Sequence, residues 1–578
     1  AMIAQSHPIL APSMAWNQRH PRNSTAILML ALLVAAFAAS ASEATFCGMP
    51  AACHGIALPL PTTSRIHGTR SPRAVSPLPR PAALTPIGAS ALACIRIFGT
   101  IVGAVFFSFS GLAGLILLKQ YGPVLKHRRR LPPVDLGQPI LGQSQNILKH
   151  GWSGGGRSWL RHLQAKNGHA FVFNLLFVNR VAIDYPLYVQ YMQRLELQGQ
   201  LRPLFSRSMQ KLLGRKSILT LPGGKGGKLH TKVRQKIAPA LTQHQMVLMS
   251  PQVEKMCRIV LEQMADETSL KGQTTLLPKI DCLTQDVAAA SLLGDFADPS
   301  LPYLGKVRDL IEEIINGLFN IPIERVFGRP TVLGKAMEAK QCACDLIDEL
   351  MEQARTQTMV TGDRRNILSQ LAQASEEGEA LSAEEIHDSV VTMAFAGKVT
   401  AAAVLPVAIV ELTHRPEWAE RIAKETPRFE DGVEHPRPSL QFIREAMRVK
   451  PPAAAFYRAS DDWIELGEHG AVPPGMPVAV CMDYPGAGLD GGPDEFYPER
   501  WTDEYTRKHF IFFGGQTPHA CPGRSLALLE MQIFVGLLCR DYNFEVLSEE
   551  TFVDRAITQV KYKDGLPMRV TRKNLQDA

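Results

Sequence analysis

The chain has 578 residues, of which 46% are hydrophobic and 20% charged. Size alone would allow several domains, but no repeat or interior linker divides the part after about Leu131, so we expect one large catalytic unit behind a leader. The ten cysteines are scattered without a disulfide pattern, which favours a reducing compartment. The net charge of +7 is concentrated before Val134, and the basic run Lys225–Lys236 has no interleaved aromatic residues, so we expect no nucleic-acid partner.

Residues 1–93 have the composition of a largely disordered leader. Ala26–Ala39 is a short apolar run that follows two arginines and ends in small residues, as a secretory signal does. From Phe46 to Ala93 the chain is rich in Ser, Thr, Pro and Arg and has no acidic residue, which is typical of a transit peptide. This order favours import into a plastid bounded by extra membranes; a leader on an endoplasmic reticulum protein is the alternative.

Residues 94–120 contain a second apolar run. Ile97–Leu118 has no charged residue and is long enough, at about 20 residues, to cross a bilayer. The basic stop Lys126–Arg130 follows, and the positive-inside rule then places the catalytic unit on the cytosolic or stromal side. Residues 121–142 hold this stop and a proline-rich stretch, and residues 143–578 form the expected catalytic domain. A buried core helix is the alternative for the apolar run.

Helical periodicity dominates the catalytic domain. Apolar spacing near 3.6 predicts helices over 248–266, 306–320, 335–356, 383–412, 440–449 and 524–540. Strand-like runs are predicted near Ala170–Phe177, Val181–Ile183, Trp463–Leu466 and Val478–Met482. The expected fold class is therefore mainly α with small β-sheets.

A glycine-rich turn, Phe513–Arg524, reads FGGQTPHACPGR and leads into a predicted helix. A cysteine sulfur ligates iron only when it is deprotonated, and N–H groups near a helix N-terminus favour the thiolate. Cys521 lies at such a terminus, Gly514 and Gly515 allow a flat cofactor to approach the backbone, and His519 can reach a carboxylate. The turn predicts a haem-thiolate ligand loop; a buried structural cysteine is the alternative.

This loop resembles that of the cytochrome P450 family, which reads Phe-x-x-Gly-x-Arg/His-x-Cys-x-Gly with an alanine later in the helix. Phe513, His519, Cys521, Gly523 and Ala527 match the pattern, with one extra residue between the phenylalanine and the cysteine. The resemblance implies the α-rich P450 fold and a haem, iron protoporphyrin IX, whose axial ligand is the Cys521 thiolate. It also implies that Phe513, His519 and Gly523 contact this cofactor, and that the proline-rich LPPVDLGQPILG is the hinge of a membrane-bound member.

Three charged residues match the family's Glu-Arg-Arg cluster. Glu445 and Arg448 lie three apart in LQFIREAMRVKPP and so share one helical face, while Arg500 lies in EFYPERW, which matches the family's meander signature. Two arginines on one carboxylate make several charge-assisted hydrogen bonds. The resemblance implies that this cluster is structural.

Three further basic residues match the family's haem-propionate donors. His230 and Arg234 lie four apart in GGKLHTKVRQKIAPAL, and Arg458 matches the arginine at the start of the strand after the Glu-x-x-Arg helix. Two carboxylates buried beside a macrocycle need such donors. The lysines around His230 are expected to border the surface on which family members dock acidic electron donors; a solvated basic face is the alternative.

The segment VVTMAFAGKVTAAAVL resembles the family's central helix, in which Ala-Gly-x-Asp/Glu-Thr lies above the iron. Ala396, Gly397 and Thr400 match and are the implied catalytic group, with Thr400 assisting oxygen activation. Val399 stands at the acidic position, which removes one general-acid route.

The expectation is a membrane-anchored monooxygenase that inserts one oxygen atom from O2 into a lipophilic isoprenoid, carotenoid or retinoid, sterol, or fatty acid. Phe395, Ala396 and Ala453–Phe456 are implied to line its pocket. A ferredoxin would be the electron donor in a plastid and a flavin reductase in the endoplasmic reticulum. Val399 leaves two alternatives: an isomerase, dehydratase or peroxygenase acting on lipid hydroperoxides, and a haem-binding protein without turnover.

Overall fold

The computed structural model describes residues 111, 113–139, 141–144, 146, 155–175, 177–293, 302–318, 320, 322–361, 367–374, 380–425, 429–453, 455–482, 495–502, 512–548, 553–555, 559–562 and 564–573. They all belong to one compact unit of the chain, residues 94–578. The predicted leader and most of the predicted membrane run lie outside the described residues.

Helices form most of the described unit. They are α1 (113–127), α2 (Gly155–Asn167), α3 (Gln193–Leu197), α4 (Arg207–Leu212), α5 (Lys228–Ile237), α6 (Gln243–Lys271), α7 (Leu276–Leu293), α8 (Pro302–Gly317), α9 (Val332–Thr361), α10 (Ile367–Ala374), α11 (Ala383–Thr413), α12 (Pro416–Ala423), α13 (Pro438–Val449) and α14 (Arg524–Asp541). Tyr185–Leu187 and Tyr188–Met192 are helical turns directly before α3. The six predicted helices correspond to α6, α8, α9, α11, α13 and α14.

The strands are short and fall into several small sheets. They are β1 (Val134–Asp135), β2 (Ala170–Leu175), β3 (Val178–Asp184), β4 (Arg202–Pro203), β5 (Thr274–Thr275), β6 (Arg325–Val326), β7 (Arg329–Pro330), β8 (Ala455–Ala459), β9 (Ile464–Glu465), β10 (Ala471–Val472), β11 (Val478–Cys481), β12 (Tyr542–Val546), β13 (Val553–Arg555), β14 (Gln559–Lys561) and β15 (Pro567–Arg572). The prediction of a mainly α fold with small β-sheets is confirmed.

The largest sheet has the strand order β1-β2-β3-β11-β8-β4. Strand β11 lies between β3, to which it is parallel, and β8, to which it is antiparallel. The chain that leaves β3 continues towards α3, while β8 carries Arg458 in the same sheet. Strand β2 ends at Leu175 rather than at the predicted Phe177, because Phe177 adopts a left-handed turn conformation with φ of 63°. Apolar side chains beneath this sheet form a core separate from the main helical core.

Helix α11 is the central helix of the main core. A capping box starts it: Ser382 Oγ accepts from the Glu385 amide at 3.3 Å, and Glu385 accepts from the Ser382 amide at 2.9 Å. Within the described part of the chain it is the one helix long and apolar enough to cross a membrane. Half of its most apolar stretch is buried in the protein, as expected of a helix that packs in a core.

The end of α1 is fixed to the β9–β10 hairpin. The Arg130 guanidinium lies 3.9 Å from the centre of the Trp463 ring, and the Arg130 carbonyl accepts from the Ala471 amide at 2.6 Å. Leu118 and Leu125, on one face of α1, are both 68% exposed. Arg130, the last residue of the predicted basic stop, therefore contacts this hairpin through both its side chain and its backbone.

A glycine holds the segment after α4 against α11. Gly214 has φ of +82°, and a Cβ there would lie 1.7 Å from Asp388 Cγ. Asp388 is buried, accepts from the Lys216 amide at 3.1 Å, and pairs with Lys340 Nζ of α9 at 2.9 Å. The absence of a side chain at this position allows the buried ion pair to lie directly against the backbone.

Candidate functional site

The Glu445 carboxylate is the centre of a buried polar cluster. It accepts from Arg448 Nε at 3.0 Å and Nη2 at 2.7 Å, and from Arg500 Nε at 3.1 Å. The Tyr497 amide and Trp501 Nε1 each donate to it at 2.9 Å. The structure thus brings Glu445, Arg448 and Arg500 together and adds two donors that the sequence did not indicate.

This cluster connects α13 to the segment 495–501. Both arginines also donate to the Glu495 carbonyl, at 2.7 Å from Arg448 and 3.1 Å from Arg500. The Glu445 side chain has no exposed surface. All of these donors come from protein and the carboxylate is fully buried, which is the arrangement expected of a cluster that holds two segments together.

The predicted ligand loop is a compact turn before α14. Phe513, Gly514 and Gly515 all have positive φ, at 61°, 78° and 59°, which reverses the chain and brings the Cys521 amide within 2.8 Å of the Phe513 carbonyl. Thr517 Oγ1 donates to the Gly514 carbonyl at 2.9 Å. A left-handed phenylalanine is uncommon, and here the hydrogen bond from Cys521 holds it in place.

Cys521 lies within the protein but has an exposed surface. Burial raises the pKa of its thiol, while the Gly523 amide and the guanidinium groups of Arg234 and Arg524 act in the opposite direction. Gly523 lies directly beside the sulfur, since a Cβ there would be 4.0 Å from Cys521 Sγ. Burial has the larger effect, so the pKa of the Cys521 thiol is raised overall, with the Gly523 amide and two guanidinium groups close to it.

Helix α5 holds the loop from one side. Arg234 Nη1 donates to the Ala520 carbonyl at 2.6 Å and to the Pro518 carbonyl at 3.4 Å. The His230 ring lies 4.7 Å from the His519 ring, and both rings are buried side chains. Burial, with the charges of His519 and Arg234, lowers the pKa of His230 to about 4, so His230 is neutral at pH 7.

A second carboxylate, Glu196 of α3, joins two of the predicted cofactor residues. It accepts from Arg458 Nε at 3.0 Å and Nη2 at 2.9 Å, and from His519 Nδ1 at 2.8 Å. Tyr188 donates to the same group at 2.5 Å. Burial alone would raise the pKa of Glu196, but the hydrogen bonds from His519 and Arg458 outweigh it and lower this pKa to about 2.

Nothing in the sequence pattern indicated Glu196. Its partners Arg458 and His519 are 262 and 323 residues away in the chain, and α3 is only five residues long. A glutamate in a short helix is usually solvated, so only the folded chain reveals this contact. The structure thus brings His230, Arg234, Arg458, His519 and Cys521 into one connected group through Glu196.

The third predicted group lies on α11. Ala396 and Thr400 are exposed in the middle of an otherwise buried helix, and Thr400 Oγ1 donates to the Ala396 carbonyl at 3.0 Å. Gly397 faces α7, where a Cβ would lie 2.5 Å from Ala288 Cβ. Gly397 therefore serves close helix packing, whereas Ala396 and Thr400 face open space.

An apolar cavity lies among α7, α8, α9 and α11, but it is not the space that Thr400 faces. On α11 it is lined by Val390, Val391 and Ala394. With about 3.6 residues per turn, these lie on the face that packs against α7, opposite Ala396 and Thr400. The predicted lining residues Phe395 and Phe456 are likewise not part of it.

The site fits a haem by the chemistry of its donors. His230 is 2% exposed, yet its Nε2 has no hydrogen-bond partner within the described residues. An orphaned buried nitrogen costs free energy unless a ligand satisfies it. Together with the guanidinium groups of Arg234 and Arg458 and the thiol of Cys521, it provides the donors and the sulfur that a dicarboxylate macrocycle with a thiolate-bound iron requires.

Comparison with known proteins agrees with this geometry. The model of the family described as Cytochrome P450 matches residues 132–567. The chain is 24% identical over 461 residues to beta-amyrin 11-oxidase of Glycyrrhiza uralensis, which covers 74% of this chain and 89% of that protein. It is also 24% identical over 462 residues to abscisic acid 8'-hydroxylase 2 of Arabidopsis thaliana, with 77% and 91% covered.

Two solved structures share the fold. A retinoic-acid-bound cyanobacterial CYP120A1 aligns with a TM-score of 0.64 and 23% identity, covering 77% of this chain and all of that one. A crystal structure of the cytochrome P450 CYP102L1 aligns with a TM-score of 0.61 and 18% identity, covering 73% of this chain and 98% of that one. At these identities the likeness shows the fold.

We expect that removing the charge of Glu445 destabilises the fold far more than removing an exposed charge. In Glu445→Gln the Arg448 and Arg500 charges stay buried without their carboxylate, and we expect about 3–5 kcal/mol of lost unfolding free energy, measured by urea denaturation. The exposed pair Arg325–Glu338 is the control, because Glu338→Gln removes a solvated ion pair worth at most about 1 kcal/mol. Equal urea midpoints for the two variants would contradict a structural role for Glu445.

Proposed function

Because the chain belongs to the cytochrome P450 family, whose members bind haem through a cysteine thiolate, we propose that Cys521 is the axial ligand and that the protein is a monooxygenase acting on a lipophilic substrate. One observation carries this proposal: Cys521, a partly exposed residue, lies in a loop that contacts His230, Arg234 and, through Glu196, Arg458. These are the residue types that a haem with two propionates needs on one side.

Each group has a defined part in this proposal. The haem, when bound, supplies oxygen activation, and a thiolate ligand favours O–O bond cleavage. His230, Arg234 and Arg458 bind the propionates and so orient the macrocycle. Gly523 leaves room beside the sulfur, and Phe513, whose carbonyl accepts from the Cys521 amide, fixes the direction of the thiol.

Thr400 of α11 is proposed to hold a proton for the reaction. Its hydroxyl donates to the Ala396 carbonyl and lies on the exposed face of α11, so its oxygen can accept a hydrogen bond from a bound molecule. Val399 offers no carboxyl, so proton delivery relies on Thr400 and on water. Phe395, Ala396 and Phe456 are proposed to line the substrate space.

The substrate proposed is an isoprenoid-like lipid. Beta-amyrin, abscisic acid and retinoic acid, which appear in the names of the relatives and of the solved structure, are all isoprenoids. At about 24% identity this supports a class of substrate and not one compound. The small and apolar residues proposed for the pocket suit such a molecule.

We also propose that residues 1–93 direct the protein to a plastid, that residues 94–120 anchor it in a membrane, and that 121–142 connect the anchor to the catalytic domain. The row of exposed leucines on the described part of α1 supports contact with lipid. A ferredoxin is then the electron donor. A fusion of the full chain to a fluorescent protein should co-localise with plastid membranes; a reticular pattern would instead favour the endoplasmic reticulum and a flavin reductase.

The haem assignment has a direct spectroscopic test. The purified, reduced protein should give a thiolate-type Soret band in its carbon monoxide difference spectrum. Cys521→Ser should abolish that band, because a hydroxyl does not replace a thiolate. Cys342→Ser, which alters an exposed cysteine on α9, should retain it. A normal band in Cys521→Ser would show that another residue binds the iron.

The reaction type is tested by the oxidant required. With isoprenoid lipids, product should form only when an electron donor and O2 are both present. Thr400→Ala should lower product formed per reductant consumed by about 100-fold, the lower range for a positioned proton donor, and Thr400→Ser should restore it. Product from lipid hydroperoxides without reductant would instead support the isomerase or peroxygenase function that Val399 allows.

A further inference from the structure

Glu196 is a buried carboxylate within the group of residues to which the proposed function assigns the haem propionates. None of its surface is exposed, and it accepts four hydrogen bonds, from Tyr188, His519 and twice from Arg458. Glu196 is therefore a negative charge of the protein itself, close to the residues that are proposed to bind the two negatively charged propionates. The N–H groups that Glu196 does not occupy are the ones that can donate to the cofactor.

The hydrogen bonds of His519 are fully used. Nδ1 faces Glu196 at 2.8 Å and Nε2 faces the Leu221 carbonyl at 2.9 Å. On Arg458, Nε and Nη2 are directed at Glu196 and Nη1 at the Tyr457 carbonyl at 3.1 Å. Among the residues that the structure describes, three of its five N–H groups have partners. The remaining N–H groups of Arg458, the orphaned Nε2 of His230 and the other nitrogens of Arg234 are left for a ligand.

Glu196 and His519 are also confined by backbone packed against them. The turn that carries GGKGGK lies between α3 and the cysteine loop: a Cβ on Gly223 would be 2.9 Å from His519 Cε1, and a Cβ on Gly224 would be 2.4 Å from the Glu196 carbonyl. These two glycines, in a turn that lacks the spacing of a phosphate-binding loop, serve close packing. These contacts fix the backbone of Glu196 and the ring of His519, and the four hydrogen bonds hold the Glu196 carboxylate.

We propose that Glu196 keeps these contacts when haem binds and acts as a positioning residue that places a permanent negative charge beside the cofactor. This inference rests on the proposed function, namely haem ligation by Cys521. A fixed negative charge stabilises the ferric state relative to the ferrous state, because the ferric centre carries one more positive charge. The interaction is strong inside protein, where neither water nor salt screens it fully.

The test is the reduction potential of the bound haem. Glu196→Gln keeps the size and one hydrogen-bond acceptor of the side chain but removes its charge, so a spectroelectrochemical titration of the substrate-free holoenzyme should give a more positive potential at both low and high salt. Glu196→Asp should restore a potential near that of the unaltered protein. Tyr188→Phe, which removes one hydrogen bond and no charge, should leave the potential almost unchanged.

Two results would overturn the inference. The first is a Glu196→Gln holoenzyme with a normal carbon monoxide band and an unaltered potential. The second is a crystal structure of the unaltered holoenzyme in which a propionate has replaced Glu196 as the partner of His519 Nδ1. This second measurement decides the matter even if Glu196→Gln fails to fold. Failure of the proposed function is distinct, because the unaltered protein would then give no thiolate-type band at all.

Discussion

The rest of the site depends on the saturation of one buried charge, the Glu445 carboxylate. Removing a carboxylate from water is costly, and the cost is offset only when nearly every lone pair receives a strong donor. Here two guanidinium groups, an indole and a backbone amide supply them from α13 and the segment 495–501. The Trp501 ring of that segment lies 5.2 Å from the ring of Phe512, which directly precedes Phe513, so the cluster supports one side of the cysteine loop.

This cluster could be predicted from the sequence because its residues lie in short, recognisable sequence patterns. Glu445 and Arg448 are one helical turn apart, and Arg500 lies in a short recognisable pattern. The long helices were predicted because each buries one apolar face. Helix α7 was not, since LLPKIDCLTQDVAAASLL is apolar on most sides and shows no single face. Glu196 could not be predicted either, because its partners belong to strands and loops hundreds of residues away.

The centre of α11 departs from the family pattern in a way that packing explains in part. Lys398, beside the valine at the acidic position, is buried and forms an ion pair with Glu312 of α8, while its carbonyl accepts from Thr284 of α7 at 3.1 Å. Its charge therefore ties neighbouring helices together. It lies about 200° around the helix from Thr400, so it does not compensate for the carboxyl missing from Val399.

The attachment of α1 to the β9–β10 hairpin has a mechanical consequence. Arg130 is held both by its side chain over Trp463 and by its carbonyl, while Ile464 and Val472 of the hairpin belong to the core beneath the large sheet. A force applied to α1, by a bilayer or by a surface to which the N-terminus is attached, would therefore be transmitted to that sheet through these contacts. Rotation of α1 would then rotate the catalytic unit with it.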